Sequence, residues 1–196
     1  MRIRVSLLAA GFVCAGAVAT LQAGWIGVAA TAAIDEGDLN KVVFNSDGSA
    51  GIRPTISSTS AKLRLQVPET PTLLMPNPKP VEVGPLRFLM RVRDNGAGAR
   101  VIATLRRVTL GWFIEAPPRS DVAATIDSDL VPPSDGWIIL EAQNYSSCCW
   151  IREPGQPSAK GMDFFDAGWF VEVQLIKNGA EGNPGVATVG VVRDEP

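Results

Sequence analysis

Lys62-Leu63-Arg64-Leu65-Gln66-Val67 alternates polar and apolar residues without a fault. Side chains of an extended strand point to opposite faces in turn, so this pattern gathers Leu63, Leu65 and Val67 on one side only as a strand. Leu86 to Arg93 repeats the pattern, with Leu86, Phe88, Met90 and Val92 on the apolar face and Arg87, Arg91 and Arg93 opposite. Trp169, Val171, Val173 and Leu175 do the same further on. Val122 to Ile126, Trp137 to Ala142 and Val186 to Val192 read as further strands, bounded by Gly, Pro and Asp. Ala99 to Leu110 changes its apolar parity near Leu105, which predicts a β-bulge or break near Arg106-Arg107. Asp94-Asn95-Gly96-Ala97-Gly98 has turn composition, so the strands on either side are expected to form a hairpin. Only Asp35 to Lys41 reads as a helical turn. The expected fold is all-β: an antiparallel β-sandwich, jelly-roll-like or immunoglobulin-like, from about residue 40 to 192 after an N-terminal signal segment. Trp112, Trp137 and Trp169 are expected in its core.

The start of the chain has a different character. Arg2 and Arg4 precede a run, Val5 to Ile34, of thirty residues without a formal charge. A cationic start followed by an apolar run is the pattern of an export signal. Small residues suited to a signal peptidase recur at Ala17-Val18-Ala19, Leu21-Gln22-Ala23 and Ala30-Thr31-Ala32. The run is also long enough to span a bilayer, which makes an uncleaved anchor the rival. The expected organisation is thus a signal peptide or anchor over 1–34 and a single domain over 35–196, secreted or periplasmic. Trp25 is expected to leave with the signal, and any membrane contact is expected only through an uncleaved 1–34.

Composition narrows the function classes. Of the 196 residues, 18 are basic and 20 acidic, with no cationic tail, which argues against a nucleic-acid partner. The chain has no His, so Ser-His-Asp chemistry and the commonest zinc ligand are both absent. Asp127, Asp129 and Asp163 lie in turn-rich segments and are the candidate ligands for calcium, which takes loop carboxylates. The same carboxylates, with Asp166 and Glu172, are what a carboxylate-based hydrolase would use. Cys148 and Cys149 are adjacent. They are read as two thiols, as a strained vicinal disulfide, or as a bridge between chains. Asn144, Tyr145 and Trp150 surround them. A loop there would keep the Tyr145 hydroxyl wet while its ring and that of Trp150 offer apolar surface to a glycan or a protein.

Several segments also carry a resemblance: Arg107-Val108, Ala124-Thr125-Ile126-Asp127-Ser128-Asp129, Pro132-Pro133-Ser134-Asp135-Gly136-Trp137, Phe170-Val171-Glu172-Val173 and Gly182-Asn183-Pro184-Gly185-Val186. In this order, over about residues 99–192, the chain resembles a loosely defined group of bacterial secreted β-sandwich proteins of unknown function. The resemblance implies the fold and export and supplies no catalytic residue. The expected function is an exported non-catalytic protein, a carbohydrate- or surface-binding module with a glycan or surface protein as partner. The alternative is a structural or envelope-associated protein acting through protein contact, and behind both stands the carboxylate hydrolase.

Overall fold

A computed structural model describes residues 23–69, 86–109, 119–146, 150–152, 160–162 and 167–193. Thirteen strands follow in chain order among them. They are β1 (Ala23–Val28), β2 (Ala33–Ile34), β3 (Val42–Phe44), β4 (Ala50–Ile52), β5 (Ser58–Val67), β6 (Leu86–Asp94) and β7 (Ala99–Thr109). Then come β8 (Arg119–Asp127), β9 (Ser134–Glu141), β10 (Trp150–Arg152), β11 (Lys160–Met162), β12 (Ala167–Asn178) and β13 (Gly185–Arg193). The expected helical turn is a single 3-10 turn at Glu36–Asp38.

Eleven of these strands make two antiparallel sheets, as the alternation requires, and β10 and β11 pair as a separate two-stranded ladder. One sheet runs β3-β4-β13-β6-β9, with β1 pairing β13 beyond β4, and the other runs β2-β5-β12-β7-β8. Hydrophobic side chains that share one parity close the space between them. Leu63, Leu65 and Val67 meet Trp169, Val171, Val173 and Leu175 across the β5–β12 ladder, while Phe88, Met90 and Val92 face them from the other sheet. Burying one such side chain stabilises the fold by about 1.5–3 kcal/mol before the entropy of ordering is charged against it.

Two expectations are corrected here. The strands around Asp94–Gly98 do not form a hairpin: β6 pairs β13 and β9, whereas β7 pairs β12 and β8. The turn carries the chain from one sheet to the other. Its φ values of +70° at Gly96 and +79° at Gly98 allow the sharp reversal, and the buried Asp94 carboxylate fixes it by accepting from the Gly96 N–H at 2.9 Å and from the Ser128 hydroxyl. A methyl group at Gly98 would lie 1.7 Å from the Asn178 carbonyl oxygen. Gly98→Ala is therefore expected to cost more than the ~1–3 kcal/mol of a strained backbone conformation alone, read as a drop in urea midpoint.

The second correction concerns the N-terminal run. A domain boundary at residue 34 falls inside the fold. Ala23 to Val28 pair in register with Arg193 to Thr188, and Trp25 packs against the core instead of leaving it. The expected break near Arg106-Arg107 is present as a register shift between Leu105 and Arg106 in the β7–β8 ladder. The extra residue is Ala123 on β8, so β7 continues straight along β12.

Candidate functional site

The residues singled out from sequence go to three places. Tyr145 turns inward. Its backbone bridges Ala124 at the edge of β8, Ser146 N–H donates to the Ala123 carbonyl at 2.8 Å, and the Tyr145 hydroxyl accepts the Phe88 N–H at 2.8 Å. The segment thus ties the edge of one sheet to a central strand of the other, and the wet-hydroxyl expectation is corrected. Burial raises the Tyr145 pKa above its ordinary value, opposed by the Phe88 hydrogen bond. Tyr145→Phe strands the N–H of a fully buried residue and is expected to cost about 1–3 kcal/mol, measured by thermal melting. Asn144 is exposed beside it. Trp150 opens β10, paired with Met162. Cys148, Cys149 and Asp163 lie outside the described residues.

Asp127 and Asp129 do come together, but around a cation. The Arg100 Nε donates to Asp127 at 3.0 Å and lies 3.2 Å from an Asp129 oxygen. The guanidinium pairs with both carboxylates, and among the described residues no group of three His, Cys, Asp or Glu is placed to hold a metal ion. The Arg100 hydrogen bond holds Asp127 below the usual carboxylate range, with the Asp129 N–H assisting against burial. A depressed folded-state pKa stabilises above the unfolded value of about 3.9 and loses that contribution as pH falls through the folded value. The stability gap between wild type and Asp127→Asn is therefore expected to be a few tenths to about 1 kcal/mol at pH 7 and to close below about pH 4. Chemical denaturation across that range measures it.

Glu172 stands at the middle of the outward face of β5-β12-β7. Burial pushes its pKa up, but Lys62 at 3.3 Å, Arg106 at 3.6 Å and Arg64 at 3.4 Å outweigh that and leave it lowered. The arrangement keeps a carboxylate ionised and pins three long side chains over the sheet.

The outward face of the other sheet differs. There β1, β13, β6 and β9 present Ile26, Gly190, Leu89 and Ile139, and these line a shallow depression of about 120 Å³ together with Arg91, Thr188 and Val192. Gly190 makes its floor: a methyl there would stand 3.2 Å from the Ile26 Cγ1. Ile26 is 58% exposed and Ile139 70% exposed. Arg87 is engaged by Glu141 at 2.6 Å, whereas Arg91 has no ion-pair partner among the described residues. Arg93, further along the same face, lies over the Trp137 ring at 5.1 Å and donates to Asn183 at 2.9 Å. Trp137, expected in the core, is half-buried on this outward face instead, because Ile138 and Leu140 take the inward parity of β9.

This patch is legible as faults in the alternation. Leu89 and Ile139 occupy outward positions of otherwise well-patterned strands, in Phe88-Leu89-Met90 and Ile138-Ile139-Leu140. A solvated face has no use for them.

No family model matches the chain, and no curated protein matches it. Among solved structures, the chain is similar to a family two carbohydrate esterase from Cellvibrio japonicus, at 9% identity and a TM-score of 0.38, covering 90% of this chain and 36% of that one. It is similar to the N-terminal endo-1,4-beta-D-xylanase 10B of Clostridium thermocellum, in its CBM22-1 and GH10 modules, at 12% identity and a TM-score of 0.38, covering 89% and 28%. It is also similar to a structure of carbohydrate-binding modules from the beta-sandwich superfamily, at 13% identity and a TM-score of 0.34, covering 90% and 58%. The chain spans less than two thirds of each, and at these scores the likeness carries no argument about ligand or activity.

Proposed function

We propose that this chain is a non-catalytic contact module that recognises a protein surface through the outward face of β1, β13, β6 and β9. The depression floored by Gly190 carries the reading. Exposed aliphatic residues gathered on one strand face, beside a cation with no ion-pair partner among the described residues, suit a partner side chain that is aliphatic with a carboxylate close by. The lining holds no aromatic ring, so sugar stacking has no platform there. The one aromatic residue of the 144–150 segment whose contacts are described, Tyr145, is committed to the core. Surface contact with a protein is therefore favoured over glycan binding.

The electrostatics support a non-catalytic role. A hydrolytic carboxyl pair needs one member with a raised pKa to act as the acid. Asp38, Asp47, Asp127 and Glu172, the carboxyls with displaced values among the described residues, are all displaced downward.

N-acetyl-leucine, with an isobutyl group and a carboxylate, is the simplest probe. Its roughly 12 non-hydrogen atoms at about 0.3 kcal/mol each give about 4 kcal/mol, or a Kd of ~1 mM. Titration followed by amide NMR is expected to shift Leu89, Arg91, Ile139 and Gly190, with weaker binding of N-acetyl-leucine amide and loss in Ile139→Asp. No shift at these residues, or equal shifts with the amide, would count against the proposal. So would a xylan or cellulose oligosaccharide that bound there instead.

A further inference from the structure

We infer that two copies of the chain pair edge to edge through β9, about a two-fold axis at Ile139, so that one sheet continues from copy to copy. β9 is the last strand of its sheet: β6 pairs one side of it, and among the described residues no strand pairs the other. The register says which backbone groups face the open side. Ala142 N–H donates to the Phe88 carbonyl at the start of β6 at 3.0 Å. The N–H and C=O of a strand residue point the same way, and the direction alternates along the chain. Ile138 and Leu140 therefore also face β6, while Ile139 and Glu141 face outward. An open edge of this kind is a template for another strand.

The template is short. Gln143 Nε2 donates to the Glu141 carbonyl at 3.3 Å, which closes one end. At the other end the β6–β9 register shifts between Val92 and Asp94, and Pro132 and Pro133, which have no N–H, precede the strand. Ile139 stands in the middle of what is left, with its side chain 70% exposed. Ile138 points to the core yet is only partly buried, as suits a strand with an uncovered flank.

A second copy fits this stretch because the sequence matches itself there. With the axis at Ile139, the Ile139 N–H of each copy donates to the Ile139 carbonyl of the other, and the two side chains meet on the outward face. Ile138 comes opposite Leu140 of the second copy on the core side, and Glu141 comes opposite its Trp137. Arg93 lies over the Trp137 ring at 5.1 Å, so the arriving carboxylate finds a cation. Other registers match less well. An axis at Ile138 sets Glu141 opposite Asp135, two like charges, and an axis at Leu140 sets Ile139 opposite Glu141. A two-fold contact closes at two copies. It brings two depressions floored by Gly190 onto one continuous face, and so goes beyond the function proposed above without depending on it.

One short ladder is a small interface, so sedimentation equilibrium from about 10 µM to about 1 mM is expected to show the mass rising from monomer toward dimer. Ile139→Lys puts like charges on the axis and is expected to weaken the dimer about tenfold or more, with an unchanged melt because the side chain is already in water. Ile139→Pro removes an N–H that β6 does not use and is expected to act alike. Val28→Lys, on β1 at the far side of the same outward face, is expected to leave the dimer intact. Because position 139 meets itself, mixing the Ile139→Lys and Ile139→Asp chains is expected to restore an association that neither shows alone. A wild type that stays monomeric over the whole range overturns the inference. So does a folded Ile139→Lys chain that dimerises like wild type, or a mixture that does not recover. Equal losses in Val28→Lys and Ile139→Lys would put the contact on the sheet face and overturn it as well. A monomeric wild type that still binds N-acetyl-leucine would leave the function proposed above standing.

Discussion

A chain that begins at Ala33 is expected to lose its cooperative unfolding transition, while one that begins at Thr20 keeps it. Without β1, the edge of β13 over Thr188 to Arg193 loses its partner, and the buried Val189 and Val191 lose the cover of the Trp25 ring. Trp25 is partly buried, so its loss costs less than the ~3–5 kcal/mol of a fully buried aromatic, but the loss of the whole β1 ladder comes with it, against a total stability of about 5–15 kcal/mol for an ordinary domain. The unpaired strand edge adds a tendency to associate. Circular dichroism melts of the two chains, with sedimentation to detect aggregation, give the comparison. Similar melts would mean that β1 contributes little.

Trp169→Ala is expected to destabilise the protein by about 3–5 kcal/mol in urea titration at pH 7. Trp169 is 2% exposed and stands opposite Val67 on β5 and Arg107 on β7, so its ring fills the space between three strands of one sheet and the facing sheet. Phe170→Ala, one residue on and on the outward face, is expected to cost well under half as much. Equal losses at the two positions would contradict the assigned face.

The contrast between Trp169 and Phe170 is readable without coordinates, because one step along a strand reverses the side chain. For the same reason β5, β6 and β12 are legible in the sequence: long strands with one solvated face write their burial as parity. β1 to β4 are not. Ala23-Gly24-Trp25-Ile26-Gly27-Val28 and Ala50-Gly51-Ile52 are short, and their glycines are placed for close backbone approach, so no alternation marks them. An apolar run beside two arginines then reads as leader all the way to Ile34. Trp25, a bulky ring between two glycines in an alanine-rich run, is the residue that separates strand from leader.

The hairpin expected at Asp94–Gly98 fails for a different reason. Turn composition reports that the chain reverses, not which sheet receives it. What decides the outcome is Asp94, buried at the end of β6 and held by Ser128 after β8, a contact between residues 34 apart in sequence. The carboxylates were legible as turn residues. Their engagement by Arg100 was not, since it depends on the register of β7 against β8. The outward patch was available all along as Leu89 and Ile139, two apolar residues on the wrong parity.

The central claim is that Ala23–Val28 belong to the sandwich, inside what the sequence presents as leader. Hydrogen exchange on a chain beginning at Thr20 tests it most directly. Peptides covering Ala23–Val28 are expected to be protected to the same order as those covering Thr188–Arg193, the strand they pair with. Exchange of 23–28 at the rate of an unstructured segment, while 188–193 stays protected, would contradict it.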